Sequence, residues 1–423
     1  MKRVAITGIG AVTPLGNDAK TTWAGLIEGR SGVTRISTFD PEGFPVRIAG
    51  TVTDFELDPS YADESMRRHL SRSASFGLAA AAEALDSAGL ADAYPPASRG
   101  VSVASSVGRP ELQEVSDILE EYARTEGRRV PRQSPSSVLL RDQNVGALAI
   151  SRYGDCQGPM VNISTACAGA VHAIGEGFRL VQEGDASMVV TGGYDALTTW
   201  MDVLGFALLG ALTTEYEDEP ERASRPFSAD RAGFVIGEGS VMVVLEDLDG
   251  ARGRGAPILA ELAGYGSSMN AYRITDAPSD GKGPDAAMAA ALRESGLDAT
   301  DIHYIAGHGT GTAGNDLCET VAIKTVFGPH AYDLAISSTK SMAGHLTSGA
   351  GGLGLLATMG AVREHVVPPT INLETPDPKL DLDYVPNTAR PMRVDAALVN
   401  AFAFGGTNAA LVVRRSDPDD VEG

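Results

Sequence analysis

Short apolar runs of strand length alternate with alanine-rich runs of helix length along this chain, and glycine marks many of the boundaries. Such a pattern is typical of strands that are buried on both faces beneath covering helices. The alternation therefore predicts an α/β protein. The predicted strands are 4–6, 101–104, 188–191, 240–245, 303–306, 334–337, 397–402 and 409–413. The predicted helices are 76–88, 285–295, 316–327 and 353–364.

The polar, Gly- and Arg-rich segment 249–257 has the composition of a linker near the middle of the chain. A strand-like segment that leads into glycine begins each side of it, at 4–10 and 258–266. We therefore predict two similar halves, residues 1–250 and 258–415. The last residues, 416–423, carry four acidic side chains and are expected to form a frayed tail.

Charge and composition restrict the class of partner. The 423 residues include 34 Lys and Arg against 55 Asp and Glu, which gives a formal net charge of −21. That charge repels nucleic acid and anionic membranes, so neither is expected as a partner. No run of 18 apolar residues is present to span a bilayer. Three cysteines and the lack of a secretion signal lead us to expect a cytoplasmic protein without disulfides.

Cys167 lies in the small-residue segment TACAGA (165–170), between a strand-like run and a helix that extends to about residue 180. Unpaired N–H groups at a helix N-terminus favour a thiolate, and small neighbours leave room for a substrate. Cys167 is therefore a candidate nucleophile, although a buried structural cysteine has the same local sequence. Cys156 and Cys318 lack this setting, so we expect them to be structural.

Two histidines follow predicted strands in a comparable way. His308 opens the segment HGTGT (308–312), and His345 closes the segment STKSMAGH (338–345). Ligand sites of open α/β sheets collect at the carboxyl ends of the strands, so these histidines and Cys167 can meet there. A cysteine with histidine partners distant in sequence is a plausible nucleophilic site.

A fourth segment, FGGTN (404–408), also follows a strand. Consecutive glycines can turn backbone N–H groups inward, as an oxyanion hole requires. A simple hairpin turn between two strands explains the same local sequence.

Two other patterns are discounted. The segment GIG (8–10) resembles a dinucleotide-binding fingerprint, but Thr13 stands where its third glycine belongs, so we predict a tight turn after the first strand. A zinc site is not expected, because no paired ligand spacing such as C-x-x-C or H-E-x-x-H occurs.

Together these segments resemble the β-ketoacyl-acyl-carrier-protein synthases, in the synthase I/II branch with a Cys-His-His triad. The resemblance runs from residue 4 to 414 and includes the opening VAITGIG, TAC, SRPF (224–227), GFVIGE (233–238), HGTGT, STKSMAGH and FGGTN. It implies a thiolase fold, in which two duplicated α/β halves stack as five layers (αβαβα), and an obligate dimer.

The resemblance also implies roles for individual residues. Cys167 would accept the acyl chain from the phosphopantetheine of an acyl carrier protein, and His308 and His345 would hydrogen-bond the malonyl thioester during decarboxylation. Phe404 would complete the oxyanion hole with the N–H of Cys167 and act as a gate between the half-reactions. Malonate supplies its carbanion by losing CO2, so no cofactor is expected. Lys340 and Glu319 would form a supporting ion pair, and Thr310 and Thr312 would contact the pantetheine arm.

Several positions depart from the common fatty-acid pattern: Ala168, Ala170, the Ala306-Gly307 pair and Ala403. None removes a catalytic group. They favour the catalytic subunit of a type II polyketide synthase, of reducing or polyene type, over a housekeeping fatty-acid synthase II, which stays the alternative. A non-catalytic, chain-length-determining subunit is a further alternative, which the presence of the complete triad disfavours. The sequence leaves open whether the dimer is a homodimer or a heterodimer with a chain-length-factor-like subunit.

Acyl carrier proteins are acidic, so a chain of charge −21 needs a local basic patch to dock one. We expect that patch at Arg67, Arg68 and Arg72. Val107 and Phe206 are the positions expected to line the acyl tunnel.

Overall fold

The computed structural model describes residues 1–90, 93–129 and 135–416. Its centre is a sheet of ten strands, and two short two-stranded sheets lie outside it.

The strands are β1 (Val4–Val12), β2 (Val33–Arg35), β3 (Ile48–Gly50), β4 (Arg99–Ala104), β5 (Met160–Ile163), β6 (Met188–Ala196), β7 (Glu238–Asp247), β8 (Ala260–Met269), β9 (Tyr304–Ala306), β10 (Ala335–Ser337), β11 (Val366–Val367), β12 (Arg390–Pro391), β13 (Ala396–Phe402) and β14 (Thr407–Arg414). The helices are α1 (Ala19–Glu28), α2 (Glu64–Arg67), α3 (Arg72–Ala88), α4 (Leu112–Arg124), α5 (Pro135–Leu139), α6 (Gln143–Tyr153), α7 (Gly169–Glu183), α8 (Trp200–Leu208), α9 (Leu248–Gly253), α10 (Pro284–Ser295), α11 (Ala313–Phe327), α12 (Lys340–Ala343) and α13 (Ala350–Glu364).

The ten-stranded sheet consists of two five-stranded halves with the same internal order. The first half reads β1-β7-β6-β4-β5 and the second reads β8-β14-β13-β9-β10. Strand directions also match, because the first three strands of each half are antiparallel neighbours and the last three are parallel. The halves join where β1 pairs with β8 over three residues. The chain is therefore an internal duplication of one α/β unit.

Glycines in the first strand of each half allow a helix to approach closely. A Cβ atom on Gly8 or Gly10 would lie 2.0 or 2.1 Å from the carbonyl oxygens of Ala84 and Ala80 in α3. These glycines therefore lie within β1 and face α3, so the tight turn that we predicted for GIG is wrong.

The second half repeats this contact. A Cβ atom on Gly264 or Gly266 of β8 would lie 2.2 or 2.0 Å from the carbonyl oxygens of Ala291 and Ala287 in α10. Both pairs of alanines are four residues apart, which places them on one helix face. The repeated contact is direct evidence for the duplication.

Helices α7 and α13 lie between the two halves of the sheet. Val171 of α7 and Leu355 of α13 share one buried cluster with Val243 of the first half and Leu411 of the second. The outer faces carry α3 and α6 on the first half and α10 and α11 on the second. The order of layers is αβαβα, which confirms the predicted fold class.

The predicted strands and helices are confirmed, most with longer bounds. The predicted linker at 249–257 is wrong in part, because α9 occupies its first half. Leu248 and Ala251 of that helix are buried against Ala5, and this packing cannot be seen in the local composition. Of the predicted acidic tail, residues 417–423 lie outside the described residues. Within the described residues, no helix is both long enough and apolar enough to cross a membrane.

We predict that Glu261→Gln destabilises the junction between the halves. The buried Glu261 carboxylate accepts bonds from Arg3 Nε and Arg414 Nε, both at 2.9 Å, at the β1–β8 contact. Burial alone would raise the pKa of Glu261, but the two guanidinium groups outweigh it and the pKa is lowered. Loss of a charged partner should cost about 1–3 kcal/mol in chemical denaturation.

The control is Glu28→Gln, an exposed site where we expect a change within about 0.5 kcal/mol. Because the pKa of Glu261 is depressed in the folded protein, the difference in unfolding free energy between wild type and Glu261→Gln should reach its full size above the ordinary glutamate pKa. It should disappear as the pH falls through the lowered value. Equal stability of wild type and Glu261→Gln at neutral pH would contradict the stabilising role that we assign to Glu261.

Candidate active site

A cavity of about 230 Å³ lies at the carboxyl ends of the central strands. It brings together six of the residues that the sequence singles out. They are Cys167, His308, Thr310, Thr312, His345 and Phe404.

Cys167 lies in a short 3₁₀ turn, residues Ala166–Ala168, between β5 and α7. Ala166 has φ of +47°, in the left-handed region that a residue with a Cβ atom rarely adopts. Strained backbone of this kind is typical of functional turns, because the surrounding structure must hold it. The turn places Cys167 two residues before Gly169, the first residue of α7.

The surroundings of the Cys167 thiol include groups that raise its pKa and groups that lower it. Burial raises its pKa to about 11, and Lys340 lowers it, while Asp195 raises it further. The backbone N–H groups of Cys167 and Phe404 also lower the pKa of the thiol, because they favour the thiolate. The expected contribution of backbone N–H groups to a thiolate is present, but desolvation exceeds it and the pKa of the thiol stays raised in the free protein. The thiol needs a proton acceptor when it reacts.

His308 is fixed through its backbone. Its N–H donates to Glu319 Oε1 at 2.7 Å, and its carbonyl oxygen accepts from Lys340 Nζ at 2.5 Å. Glu319 Oε1 also accepts from the Asn400 side chain at 2.9 Å, and its other oxygen accepts the Gly309 N–H at 2.8 Å. The structure thus corrects the expected Lys340–Glu319 pair: each residue holds His308 from one side, and the Glu319 charge raises the pKa of Lys340 at a distance.

His345 is fixed through both backbone and ring. Its N–H donates to the Val235 carbonyl at 2.8 Å, and its carbonyl accepts from the Gly237 N–H at 2.9 Å. The Thr347 N–H donates to His345 Nδ1 at 3.2 Å. Since Nδ1 accepts, the neutral ring carries its proton on Nε2.

The two histidine rings are neighbours, with centroids 5.5 Å apart and planes at 81°. Burial lowers the pKa of each well below its usual value, and the positive charge of Lys340 lowers both further. Both rings are therefore neutral at pH 7. Two neutral imidazoles can donate hydrogen bonds to a carbonyl oxygen without bringing a charge of their own.

The HGTGT loop is held by Asp316 of α11. Its Oδ1 accepts the N–H groups of Thr310 at 3.1 Å and Gly311 at 3.2 Å, while Oδ2 accepts the Phe227 N–H at 3.0 Å. Burial raises the pKa of Asp316, and the hydrogen bonds oppose this. The hydroxyls of Thr310 and Thr312 lie 2.8 Å apart at the cavity wall.

Phe404 begins the turn between β13 and β14, so the hairpin and the site occupy the same residues. Gly405 and Gly406 have φ of +87° and +82°, which explains why glycine stands at both positions. The Gly405 N–H donates to the Ile274 carbonyl at 2.7 Å. This turn places Phe404 at the same cavity as Cys167, where its N–H lowers the pKa of the thiol.

The structure does not bring every predicted residue to the cavity. Val107 is 61% exposed and borders a separate surface depression, so within the single chain it does not line the Cys167 cavity. Phe206 of α8 lies one layer behind the site, where its ring packs on Phe234, which packs on His345. Arg67 and Arg68 are exposed and do not border the cavity.

Arg72, the third residue expected in the docking patch, is held by contacts within the fold. Its guanidinium binds the fully buried Glu238 carboxylate at 2.6 Å and the Val52 carbonyl oxygen at 2.7 Å. It also lies over the Phe76 ring at 4.8 Å. The partner of Arg72 is 166 residues away in sequence, so no local signal could have shown the pair.

Sequence reasoning missed two polar residues beside the site. Asp195, at the end of β6, accepts the Thr347 hydroxyl at 2.6 Å and the Ser348 N–H at 2.8 Å, directly after His345. Asn400 of β13 orients Glu319. Both lie at strand ends next to motif residues, which is the signal that could have found them.

Comparison with known proteins agrees with this geometry. The family model "Beta-ketoacyl synthase, N-terminal domain" matches residues 1–251, and "Beta-ketoacyl synthase, C-terminal domain" matches residues 259–374. The 3-oxoacyl-[acyl-carrier-protein] synthase 2 of Synechocystis sp. is 42% identical over 416 residues, with 98% of each chain covered. The chain belongs to the β-ketoacyl synthase family, whose members are condensing enzymes of the acyltransferase type.

Two solved structures are similar over almost the whole chain. The ishigamide ketosynthase/chain length factor has a TM-score of 0.89 at 32% identity and covers 98% of this chain and 100% of its own. A type II PKS acyl-carrier protein in complex with its ketosynthase, bound to the hexaketide, gives 0.88 at 31% identity with the same coverage. The fold is thus the thiolase-like fold of ketosynthases.

We predict that Lys340→Met slows alkylation of Cys167 by iodoacetamide. Removal of the positive charge raises the pKa of the thiol above about 11, and one pKa unit corresponds to a rate about ten-fold lower. Lys340 itself has a pKa lowered to about 8 by burial, so the difference should be largest below pH 8 and shrink above it. Intact-mass spectrometry measures the adduct.

Lys20→Met, at an exposed lysine of α1, is the matched control and should alkylate like wild type. Cys167→Ala supplies the blank, because burial raises the pKa of Cys156 and Cys318 to about 12. Alkylation of Lys340→Met at the wild-type rate at every pH would refute the electrostatic role of Lys340.

Proposed function

We propose that this chain catalyses decarboxylative Claisen condensation of malonyl-acyl carrier protein with an acyl chain held on Cys167. In the first half-reaction the Cys167 sulfur attacks the thioester carbonyl of an acyl-phosphopantetheine. The new sulfur–carbon bond forms as the pantetheine thiol leaves with the proton that Cys167 gives up. The product is an acyl-Cys167 thioester. The N–H groups of Cys167 and Phe404, which lower the pKa of the thiol, would hold the oxyanion of this step.

In the second half-reaction the malonyl thioester takes the place of the departed thiol. Hydrogen bonds from the neutral His308 and His345 rings stabilise the enolate oxygen that forms as the carboxylate leaves as CO2. The enolate carbon attacks the acyl carbonyl and Cys167 leaves as the thiolate, which yields β-ketoacyl-carrier protein. Loss of CO2 supplies the carbanion, so the proposed chemistry needs no metal, flavin or nicotinamide.

The observation that carries this proposal is that the Cys167 thiol, two neutral imidazoles and two N–H groups that lower the pKa of that thiol meet in a single cavity. Residues 1–250 would supply Cys167, and residues 258–415 would supply both histidines. A chain-length-determining subunit without catalysis has no need of this arrangement.

We further propose that the enzyme is cytoplasmic and dimeric, and that it extends polyketide chains in a type II system. The departures at Ala168, Ala170, Ala306-Gly307 and Ala403 support the polyketide assignment. The similarity to a type II PKS ketosynthase and to a ketosynthase/chain length factor supports it as well. The identity of 42% to a 3-oxoacyl-[acyl-carrier-protein] synthase 2 supports the alternative, a fatty-acid synthase II. Co-purification distinguishes them: a second synthase-like subunit supports the polyketide heterodimer, and an active homodimer supports fatty-acid elongation.

We predict that variants of the triad separate the half-reactions. Cys167→Ala should form no acyl adduct by intact-mass spectrometry. His308→Ala and His345→Ala should still be acylated but should release CO2 from malonyl-carrier protein about 10²–10³-fold more slowly, the cost of losing one oxyanion donor. His330→Ala, outside the cavity, is the histidine control.

Failure of the wild-type chain to form an adduct on Cys167 would favour the silent-subunit alternative. Decarboxylation at the wild-type rate by both histidine variants would contradict the roles that we assign to His308 and His345.

Arg67 and Arg68 stay our proposal for carrier-protein docking. Both side chains are exposed at the end of α2. We predict that Arg67→Glu with Arg68→Glu lowers kcat/KM for acyl-carrier protein about ten-fold, while a small N-acetylcysteamine thioester reacts as with wild type. Lys20→Glu with Arg30→Glu changes the net charge equally and should have little effect. Equal loss on both substrates would eliminate docking as the role.

A further inference from the structure

The buried side chain of Asp195, near the end of β6 in the first half, binds the segment that follows His345 in the second half. Its Oδ2 accepts the Thr347 hydroxyl at 2.6 Å and the Ser348 N–H at 2.8 Å. Ser106, which follows β4, donates its N–H to Oδ1 at 2.8 Å and its hydroxyl to Oδ2 at 2.9 Å. One carboxylate therefore joins the two halves beside a histidine of the active site.

The backbone after His345 lies directly on the strands of the first half. A Cβ atom on Gly193 of β6 would lie 2.4 Å from the Ser348 carbonyl oxygen, and one on Gly349 would lie 2.9 Å from the Gly239 carbonyl oxygen of β7. This close contact brings the donors of the segment within reach of the β6 carboxylate.

Thr347 is held in an unfavourable conformation. Its φ is +47°, in the left-handed region that a β-branched residue rarely adopts. Such strain persists only where the surrounding structure holds it, and the bonds from the Thr347 hydroxyl and the Ser348 N–H to Asp195 supply that hold. In this conformation the Thr347 N–H donates to His345 Nδ1 at 3.2 Å.

Ring packing does not by itself fix the proton of His345. The rings of Phe234 and His308 pack against it, with centroids at 5.2 and 5.5 Å, and restrain the plane of the imidazole. Which nitrogen carries the proton depends instead on the hydrogen bond that the other nitrogen makes. The Thr347 N–H therefore selects the tautomer with the proton on Nε2.

We propose that Asp195 is a positioning residue for His345, because through Thr347 it holds the N–H that keeps the imidazole proton on Nε2, where a thioester oxygen can accept it. The inference rests on the proposed function for the role of His345. Asp195 does not line the Cys167 cavity, so it acts through Thr347. An amide cannot replace its carboxylate, because both oxygens accept a backbone N–H and an amide has one oxygen.

The first test reads the His345 tautomer directly, by ¹⁵N NMR of the full-length protein labelled in its histidine rings, with His345→Ala to assign the signals. In wild type Nε2 should be protonated and Nδ1 should not. In Asp195→Asn the Nδ1 signal should shift toward the position of a protonated nitrogen. The ring of His172, whose Nδ1 bonds the Ala168 carbonyl at 3.1 Å, is the internal control and should not change. An unchanged His345 tautomer in Asp195→Asn would overturn the inference.

The second test separates the half-reactions. Asp195→Asn should release CO2 from malonyl-carrier protein about 10- to 100-fold more slowly, because a small misplacement of a reacting group can cost about 100-fold. Acylation of Cys167 should be at least as fast as in wild type, since the Asp195 charge raises the pKa of the thiol. Asp58→Asn is the matched control, an exposed carboxylate that accepts the N–H and hydroxyl of Ser60, and should react like wild type. Equal loss in both half-reactions would indicate a merely structural role and overturn the inference.

Three substitutions of Thr347 apply the same test if Asp195→Asn does not fold. Thr347→Ser keeps the hydroxyl and should keep most of the CO2 release. Thr347→Val keeps the shape and the strain but loses the hydroxyl, so it should release CO2 most slowly. Thr347→Gly also loses the hydroxyl but adopts a positive φ without strain, so it should lie between the two. Faster release by Thr347→Val than by Thr347→Gly would show that packing matters instead, and would overturn the inference.

Failure of the wild-type chain both to acylate Cys167 and to release CO2 would overturn the proposed function. The tautomer measurement would then decide the role of Asp195 by itself, because it does not depend on turnover.

Discussion

Close packing of the two inner helices is the constraint on which the site depends. α7 and α13 are both buried between the two halves of the sheet, and they approach so closely that a Cβ atom on Gly351 would lie 2.5 Å from Val171 Cγ2. Cys167 lies two residues before α7, and His345 lies five residues before α13. Each therefore occupies the equivalent place in one half of the duplication, after β5 or after β10. Packing of the helices brings the two together.

Burial then determines the protonation of the site. The same desolvation raises the pKa of the Cys167 thiol and lowers the pKa of His308 and His345, so the free protein stores a neutral thiol beside two neutral imidazoles. Lys340 opposes the effect of burial on the thiol pKa and adds to the effect of burial on the pKa of both rings, because a positive charge favours a thiolate and disfavours an imidazolium. The Lys340 cation thus shifts the pKa of three groups. The Glu319 charge raises the pKa of Lys340 itself and so limits the loss of charge that burial would cause there.

Much of this could be predicted from the sequence, for physical reasons. Strand and helix identity follow from hydrophobic alternation, which is local, and strand ends at one sheet edge place the motif residues together. The resemblance to ketosynthases selected the nucleophile and its partners. Long-range contacts decided the rest: Arg72 binds Glu238, and Val107 faces away from the Cys167 cavity. The raised thiol pKa likewise depends on burial, which a helix N-terminus alone does not reveal.

In the proposed mechanism, Cys167 and Phe404 hold the acyl carbonyl oxygen while both histidines face the incoming thioester. The most direct measurement is a crystal structure of the acyl-Cys167 form. This mechanism requires the thioester oxygen at about 2.7–3.1 Å from the N–H nitrogens of Cys167 and Phe404, with His345 Nε2 left free for the second substrate. An oxygen bound instead to either histidine, with no contact to the two N–H groups, would contradict it.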